Sequence, residues 1–187
     1  SIAPYWYDVN DNKKTWTNKQ IVQRSCGKFR REWETSSMKE KSYTPENYPI
    51  LRYGDVLLML AEAENEAHQG PTDLAYKCIN EIRQRAGISK LKGLSYTDFQ
   101  QAVRDERARE LCFESLRKYD LVRWGIYVEA VHDKLGAATQ DKRWATGNQF
   151  IGARDYAART QEKHQFLPIP TKELDVNGKL EQNKYWQ

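Results

Sequence analysis

Residues 96–124, YTDFQQAVRDERARELCFESLRKYDLVRW, form the longest stretch of helical periodicity in the chain. Apolar side chains recur there at intervals of three and four residues, as they do on one face of an α-helix. The helical wheel places two acidic residues in the same stripe, which contains Phe99, Val103, Glu106, Glu110 and Phe113. The sequence therefore predicts a nearly continuous helix whose buried face carries two carboxylates, followed after Glu114 by a turn and a short helix ending at Trp124.

The two carboxylates, Glu106 and Glu110, allow three interpretations. One helical turn brings two carboxyl groups close enough to separate their pKa values, as a catalytic acid and base require. A metal site is the second interpretation, although the neighbouring turns offer no histidine and no further acidic cluster. The third is a structural ion network, because buried carboxylates need partners and arginine supplies bidentate ones. We favour this network, with partners drawn from Arg83, Arg85, Arg107 and Arg117.

Upstream, residues 51–87 predict a helical hairpin. Asp55 places a carboxylate in the first turn of a helix that ends at Gly70. Thr72 then caps a second helix that stops at Gly87. Two helices joined by so short a connection must lie antiparallel, and the pair resembles a tetratricopeptide-type unit in size. One such unit cannot close its own core, so it requires neighbouring elements.

Long irregular segments are predicted on both sides of this helical core. Residues 1–50 are rich in turn-forming residues, and only the stretch QIVQRS suits a short strand. A helix is expected from Ile126 to Gly136, and a second polar loop over 137–163. We expect a mainly α fold, with a tetratricopeptide-like hairpin, a long helix, further short helices and extensive irregular loops. The expected divisions are a loop-rich aromatic segment (1–50), a helical core (51–136) and a loop with a C-terminal tail packing on that core (137–187).

Composition and charge argue against several classes of protein. The 30 basic and 26 acidic side chains are interspersed, a pattern that does not favour nucleic-acid binding. The cysteines Cys26, Cys78 and Cys112 show no metal-binding spacing, so we expect them to be buried and reduced, with no metal and no cofactor. No catalytic signature is present, so we expect a protein that is not an enzyme. No run approaches the roughly 20 apolar residues that cross a bilayer, so the chain by itself is expected to be soluble.

Aromatic residues, 12% of the chain, supply the best candidates for ligand binding. Sugar rings pack their C–H faces on indole and phenol planes, while polar side chains at the rim hydrogen-bond the hydroxyl groups. The candidates lie among polar residues in the two predicted loops and are Tyr5, Trp6, Trp16, Trp33 and Trp144. The alternative role of each ring is to anchor a long loop to the helical core.

Three stretches, in this order along the chain, resemble the SusD/RagB family of outer-membrane nutrient-binding lipoproteins. ILRYGDVLLMLAEAENE (50–66) is similar to the arginine-tyrosine-aspartate start of a family helix. RDERARELCFESLRKYDLVRWG (104–125) resembles the family's helix-and-turn signature. FLPIPTKELDVNGKLEQNKYW (166–186) resembles the family's C-terminal tail. The resemblance extends over most of the chain and is to the C-terminal portion of such a protein.

The resemblance implies a function in nutrient uptake. Family members capture oligosaccharides or similar nutrients at the cell surface and sit as a lid on a SusC-like TonB-dependent transporter. A lipid on an N-terminal cysteine holds them to the outer membrane, and neither that anchor nor the N-terminal helical-repeat half is in this sequence. A non-catalytic, surface-exposed glycan-binding component of an outer-membrane uptake complex is therefore implied. The alternative is a helical scaffold or lid whose aromatic surface binds protein or peptide rather than sugar.

Overall fold

The computed structural model of the chain describes residues 5–7, 10, 12–17, 26–30, 33–35, 44–139 and 148–187. The chain divides into two compact units. The first is formed by the described residues of Ser1–Trp16 and Arg24–Arg117, and the second by those of Thr17–Gln23 and Lys118–Gln187. Each unit has a hydrophobic core of its own.

A helical hairpin dominates the first unit and confirms the prediction for this part of the chain. Helix α1 (Tyr53–His68) ends where Gln69 adopts a left-handed φ of 52°. Helix α2 (Asp73–Arg85) begins at Thr72, whose hydroxyl oxygen accepts a hydrogen bond from the amide of Ala75 at 3.1 Å. Side-chain capping and a left-handed residue thus give the chain a short, well-defined reversal between the two helices.

Helix α3 (Tyr96–Glu110) packs against α1 and α2 and closes the core that the hairpin cannot close alone. Ser95 caps α3 by accepting a hydrogen bond from the amide of Asp98 at 3.2 Å. The buried side chains of the three helices form one apolar cluster, made of Leu57, Leu58, Ala61, Ala75, Cys78, Ile79, Ile82, Phe99 and Val103. The three helices are therefore held together mainly by apolar burial.

The end of α3 differs from the prediction. The helix stops at Glu110 instead of continuing to Glu114, and residues 111–115 form turns. Phe113 and Ser115 have φ angles of 66° and 61°, which are incompatible with a right-handed helix. As a result Phe113 is 53% exposed and does not belong to the buried stripe.

A short sheet precedes the hairpin in the same unit, within the segment that the sequence predicts as irregular. Strand β1 (Tyr5–Tyr7) pairs antiparallel with strand β2 (Lys13–Thr15), with Tyr5 opposite Thr15. The predicted strand at QIVQRS lies outside the described residues. Because the two strands have only three residues each, an alternation of polar and apolar side chains is too short to detect in the sequence.

The second unit is built from short helical elements. Helix α4 (Arg117–Arg123) leads into it and is followed by α5 (Tyr127–Glu129), a π-helical stretch (Ala130–Leu135), α6 (Gly136–Thr139), α7 (Asn148–Arg159) and α8 (Thr171–Val176). Single 3₁₀ turns occupy Glu162–Gln165 and Lys184–Trp186. The core of this unit consists of Leu121, Tyr127, Val131 and Ala157.

Two predictions for the second unit are wrong. Gly136 does not end a helix, because it has a right-handed φ of −56° and the helical path continues through it. The polar loop expected over 137–163 contains α7, a helix of 12 residues. Ala157 is 3% exposed and anchors α7 to the core. The helix was missed because it is held by a small buried side chain and not by the stripe of large apolar residues that a sequence pattern reveals.

The mainly α fold class is confirmed, with a two-stranded sheet as its β component in the described residues. Burial of the cysteines is confirmed for Cys78 alone, because Cys26 and Cys112 are half-buried, although all three are free thiols. Within the described residues, no helix has both the length and the apolar character that crossing a membrane demands.

Candidate functional site

The C-terminal end of α3 is the centre of an ion network. The Arg52 Nη1 atom donates to Glu110 Oε1 at 2.6 Å, and Arg52 Nε donates to Glu114 Oε2 at 2.7 Å. Arg52 Nη2 donates to Glu114 Oε1 at 2.9 Å and to the Glu110 carbonyl oxygen at 2.6 Å. Lys28 Nζ donates to the same carbonyl at 2.6 Å and also to the Glu114 carboxylate. One guanidinium and one ammonium group therefore bind two carboxylates and a helix-terminal carbonyl together.

Further ion pairs follow α3 toward its N-terminus. Arg85 donates to Glu110 Oε2, and Arg83 Nη1 donates to Glu106 Oε2 at 2.7 Å. Next to Glu106, Arg107 Nη1 donates to Asp55 Oδ1 at 2.8 Å, and both residues of this pair are buried. We refer to these pairs and the contacts of Arg52 and Lys28 as the α3 ion network.

The network favours the ionised forms of Glu110 and Glu114. Burial raises the pKa of Glu110, but hydrogen bonds from Arg85 and Arg52 outweigh burial and lower that pKa below its ordinary value of 4.5. Burial likewise raises the pKa of Glu114, and hydrogen bonds from Arg52 and Lys28 again bring it below 4.5. A general acid or base needs a pKa near the working pH, so these carboxylates are poorly suited to proton transfer. The geometry favours a structural role for them over a catalytic one.

The four arginines that the sequence predicts for the network have different partners. Arg83 lies on Glu106, and Arg85 lies on Glu110. Arg107 faces Asp55. Arg117, the first residue of α4, donates to the carbonyl oxygen of Arg104 at 3.2 Å. Within the described residues, no cluster of three or more His, Cys, Asp or Glu side chains is arranged to hold a metal ion.

Four partners in the network were missed by sequence reasoning, namely Lys28, Arg52, Asp55 and Glu114. Arg52 is 58 residues away from Glu110, and Lys28 is 82 residues away, so no helical spacing reveals either contact. The sequence nevertheless contained an indication that these residues meet. Arg52 and Asp55 belong to the stretch ILRYGD, and their partners belong to RDERARELCFE, so two of the three stretches that carry the family resemblance meet at these ion pairs.

Four of the five candidate ligand-binding rings lie on or beside the β1–β2 hairpin. Trp6 and Trp16 stack with ring centroids 5.4 Å apart and an interplanar angle of 28°. Lys13 Nζ lies 3.7 Å from the centroid of the Tyr5 ring, and the Arg30 guanidinium lies 4.1 Å from it. We call Tyr5, Trp6, Trp16 and Trp33 the hairpin aromatic cluster. Trp144 lies outside the described residues.

The rings of this cluster are not equally accessible. Arg30 lies 5.8 Å from the Trp33 ring as well as over Tyr5, so one cation contacts both. The cations over Tyr5 occupy space that a sugar would need, whereas Trp33 is 62% exposed. Each stacked indole, Trp6 or Trp16, has one face turned toward the other. Trp33 therefore offers the most open stacking surface of the cluster, while Trp6 and Trp16 are half-buried.

Comparison with known proteins places this architecture in a family. The model of the SusD family matches residues 3–186. A curated relative, SusD-like protein P25 of Formosa agariphila, is 41% identical over 139 residues, which is 72% of this chain and 23% of that protein. SusD-like protein P2 of the same organism is 28% identical over 148 residues, or 73% of this chain and 25% of that protein.

Solved structures agree with the sequence comparison. A SusD homolog from Bacteroides thetaiotaomicron is 32% identical and superposes with a TM-score of 0.76, covering 98% of this chain and 39% of that one. A SusD superfamily protein from Bacteroides vulgatus is 31% identical with a TM-score of 0.57, covering 78% of this chain and 29% of that one. The chain spans about a quarter of the length of the curated relatives that it matches. Because the family model extends over almost the whole sequence and the helical framework is shared, the chain belongs to the SusD family.

Proposed function

We propose that this chain is part of a SusD-like protein that binds glycan or a similar nutrient at the bacterial cell surface. In this proposal the protein is a lipid-anchored component of an outer-membrane uptake complex, works with a SusC-like TonB-dependent transporter and performs no catalysis. The family match over residues 3–186 is the observation that carries the proposal. The arginine-bound carboxylates of α3 support the non-catalytic part.

The hairpin aromatic cluster supports a sugar-binding surface within the proposed function. Trp33 presents a flat apolar face with Arg30 beside it as a hydrogen-bond donor for hydroxyl groups. Trp6 and Trp16 form a second, stacked pair, and Trp6 lies on the opposite face of the hairpin from Tyr5 and Lys13. Aromatic faces bordered by a few polar groups are the usual composition of small-ligand sites. A saccharide stacked on these rings would gain apolar burial and retain its hydroxyl hydrogen bonds.

Affinity electrophoresis and calorimetry of the complete protein against a panel of polysaccharides test this proposal. We expect a polysaccharide of the panel to bind, and we expect Trp33→Ala and Trp6→Ala each to weaken that binding by about tenfold, or ~1.4 kcal/mol. The matched control is Tyr119→Ala, which removes a ring that is 70% exposed in the second unit and should leave affinity unchanged. Failure of every polysaccharide to bind the complete protein would contradict the proposal. Product analysis on the same panel tests for hydrolysis, and released sugars would contradict the non-catalytic role.

A protein-binding surface is the second candidate function, favoured by apolar side chains that α1 and its approach leave exposed. Ile50 is 89% exposed, Leu51 60% and Met59 42%. Exposed apolar groups of this kind mark interfaces when they are contiguous. Co-purification with the transporter, together with sugar affinity, distinguishes the two candidate functions. Loss of sugar affinity in Trp6→Ala with intact assembly favours the glycan site, and lost assembly in Ile50→Asp/Met59→Asp with intact sugar affinity favours the protein surface.

A further inference from the structure

A cavity of about 440 Å³ lies within the second unit, and its described lining contains none of the residues that the sequence singled out for binding. Its volume falls in the range of small-molecule sites. Four rings supply its apolar surface, namely Tyr127, Tyr156, Phe166 and Trp186. The cavity therefore offers a stacking floor comparable in composition to that of a sugar site.

The indole of Trp186 is fixed in place before any ligand arrives. Its Nε1 atom donates to the carbonyl oxygens of Lys163 at 3.1 Å and Phe166 at 3.0 Å. The His164 ring meets it at a centroid distance of 6.4 Å and an angle of 75°. Lys163 Nζ lies 5.3 Å from the centroid of the same ring. Because its polar atom is satisfied and two neighbouring side chains pack on it, the indole loses little conformational freedom on binding a ligand.

The hydroxyl groups of two tyrosines in the cavity can together donate one hydrogen bond to a ligand. The hydroxyl groups of Tyr127 and Tyr156 share a hydrogen bond. Burial and this bond raise the pKa of Tyr127 to about 12, so the Tyr127 hydroxyl stays protonated at neutral pH. One of the two protons lies between the oxygens, and the other is free to be donated. Tyr127 is 2% exposed and Tyr156 is 49% exposed, so Tyr156 is the residue that can donate outward.

His164 adds a second neutral donor. The amide of Gln161 donates to His164 Nδ1 at 2.8 Å, which requires a lone pair on that nitrogen. In the neutral ring the proton must then be on Nε2, where it is available to a ligand. The backbone around the 3₁₀ turn thus selects the tautomer of a residue that lines the cavity.

The charged residues of the cavity carry an excess of positive charge. Lys118 and Arg159 line it together with a single carboxylate, Asp155. In the described part of the chain none of the three forms an ion pair, and Lys118 has a ring contact, with its Nζ atom 5.4 Å from the Tyr127 centroid. Two unpaired cations, two neutral donors and one carboxylate acceptor therefore surround an apolar floor.

We propose that this cavity binds a sugar ring that carries a carboxylate, a hexuronate unit of the captured glycan. Arg159 and Lys118 would bind the carboxylate, while Asp155 accepts from ring hydroxyls and His164 and Tyr156 donate to them. The C–H face of the ring would lie on Trp186 and Phe166. This inference rests on the proposed function, and it names the class of sugar and a second binding position for it.

Calorimetry with trigalacturonate and the matched galactose trisaccharide tests the inference on the complete protein. We expect trigalacturonate to bind more tightly, and we expect Lys118→Gln/Arg159→Gln to lower its affinity by about tenfold or more. The neutral trisaccharide should show no such loss. The control Lys134→Gln/Arg154→Gln removes an exposed lysine and arginine that do not line the cavity, and should leave both affinities unchanged. Added salt should weaken trigalacturonate binding to the wild type more than binding to the Lys118/Arg159 variant.

The possible outcomes distinguish failure of this inference from failure of the proposed function. Equal trigalacturonate affinity in wild type and Lys118→Gln/Arg159→Gln overturns the cavity assignment. Binding of neutral polysaccharides, with no trigalacturonate binding, overturns the inference and leaves the proposed function standing. Failure of every saccharide, neutral or acidic, overturns both. Loss of trigalacturonate binding in the cavity variant, with unchanged binding in Trp33→Ala, supports the inference and separates the cavity from the hairpin aromatic cluster.

Discussion

The Arg107–Asp55 ion pair offers the sharpest test of how α1 and α3 are held together. Asp55 is 6% exposed and Arg107 is 4% exposed, and the two are joined at 2.8 Å. Arg107→Leu removes the cation and leaves the Asp55 carboxylate buried. Loss of one partner of a buried pair costs ~3–5 kcal/mol, because the remaining charge has lost its water without gaining a partner. We expect this loss in the stability of the three-helix core.

The double variant Asp55→Ala/Arg107→Leu distinguishes this cause from simple loss of contact. With both charges removed, the Asp55 carboxylate is no longer buried without its cation. The chief expected cost is then the loss of the favourable charge of Asp55 at the N-terminus of α1, ~0.3–1 kcal/mol. The double variant should therefore be more stable than Arg107→Leu by at least ~2 kcal/mol. Arg109→Leu is the matched control, since its side chain is 61% exposed and its loss should cost less than ~0.5 kcal/mol.

Hydrogen exchange of the α1 and α3 amides in the complete protein measures this stability locally, including at the buried residues Leu58 and Val103. Protection factors convert directly to opening free energies when reclosing is faster than exchange. If Arg107→Leu and the double variant lose equal protection, the buried unpaired carboxylate is not the cause and the reasoning is refuted. A large effect of Arg109→Leu would show that any arginine loss on α3 is damaging.

Two further predictions concern the Arg52 end of the network. The pKa values of Glu110 and Glu114 are lowered in the fold, so their stabilisation is present above about pH 4.5 and is lost as the pH falls through the folded values. The thermal midpoint should fall more steeply below that pH in wild type than in Glu110→Gln/Glu114→Gln, and parallel curves would contradict the prediction. Gly54→Ala places a Cβ 2.6 Å from Arg52 Nη1 and should cost ~1–3 kcal/mol in urea unfolding. Gly152→Ala, whose Cβ meets nothing within 4 Å, should stabilise by up to ~1 kcal/mol, and the same sign for both glycines would be inconsistent with the clash.

The first unit was largely predictable because its signals are local. Thr72 and Ser95 cap helices through hydrogen bonds to amides three residues ahead, and such caps are visible in the sequence. The apolar repeat of α1, α2 and α3 then predicts which faces meet. Where both kinds of signal coincide, the helices lie where the sequence places them.

The second unit was less predictable because its burial depends on tertiary contacts. Helix α7 buries Ala157, and Thr160 is buried directly after the helix; they are 3% and 4% exposed, and neither stands out in a hydrophobic pattern. Thr160 is held by its own hydroxyl, which donates to the Tyr156 carbonyl, and its carbonyl oxygen lies 2.7 Å from His132 Nε2. The cavity beside α7 was missed for the same reason, since its rings come from positions 127, 156, 166 and 186.

The candidate site was likewise predictable within a single helix but not across elements that are distant in sequence. A helical wheel reveals that Glu106 and Glu110 face inward, because that follows from spacing on one element. It cannot reveal that Arg52 binds Glu110 and Glu114, because that contact depends on how α1 docks on α3. The hairpin aromatic cluster shows the same limit, since the stacking of Trp6 on Trp16 depends on the pairing of two three-residue strands.

The cations at the end of α3 explain why the helix can stop where it does. A helix terminus leaves its last carbonyl groups without intrahelical partners, and the C-terminal dipole favours positive charge there. Arg52 Nη2 and Lys28 Nζ both donate to the Glu110 carbonyl oxygen at 2.6 Å, so two cations complete the terminus. The same cations bind the Glu114 carboxylate, which fixes the turn that follows. Helix termination and docking of α1 are therefore one set of contacts, and a change at Arg52 must disturb both.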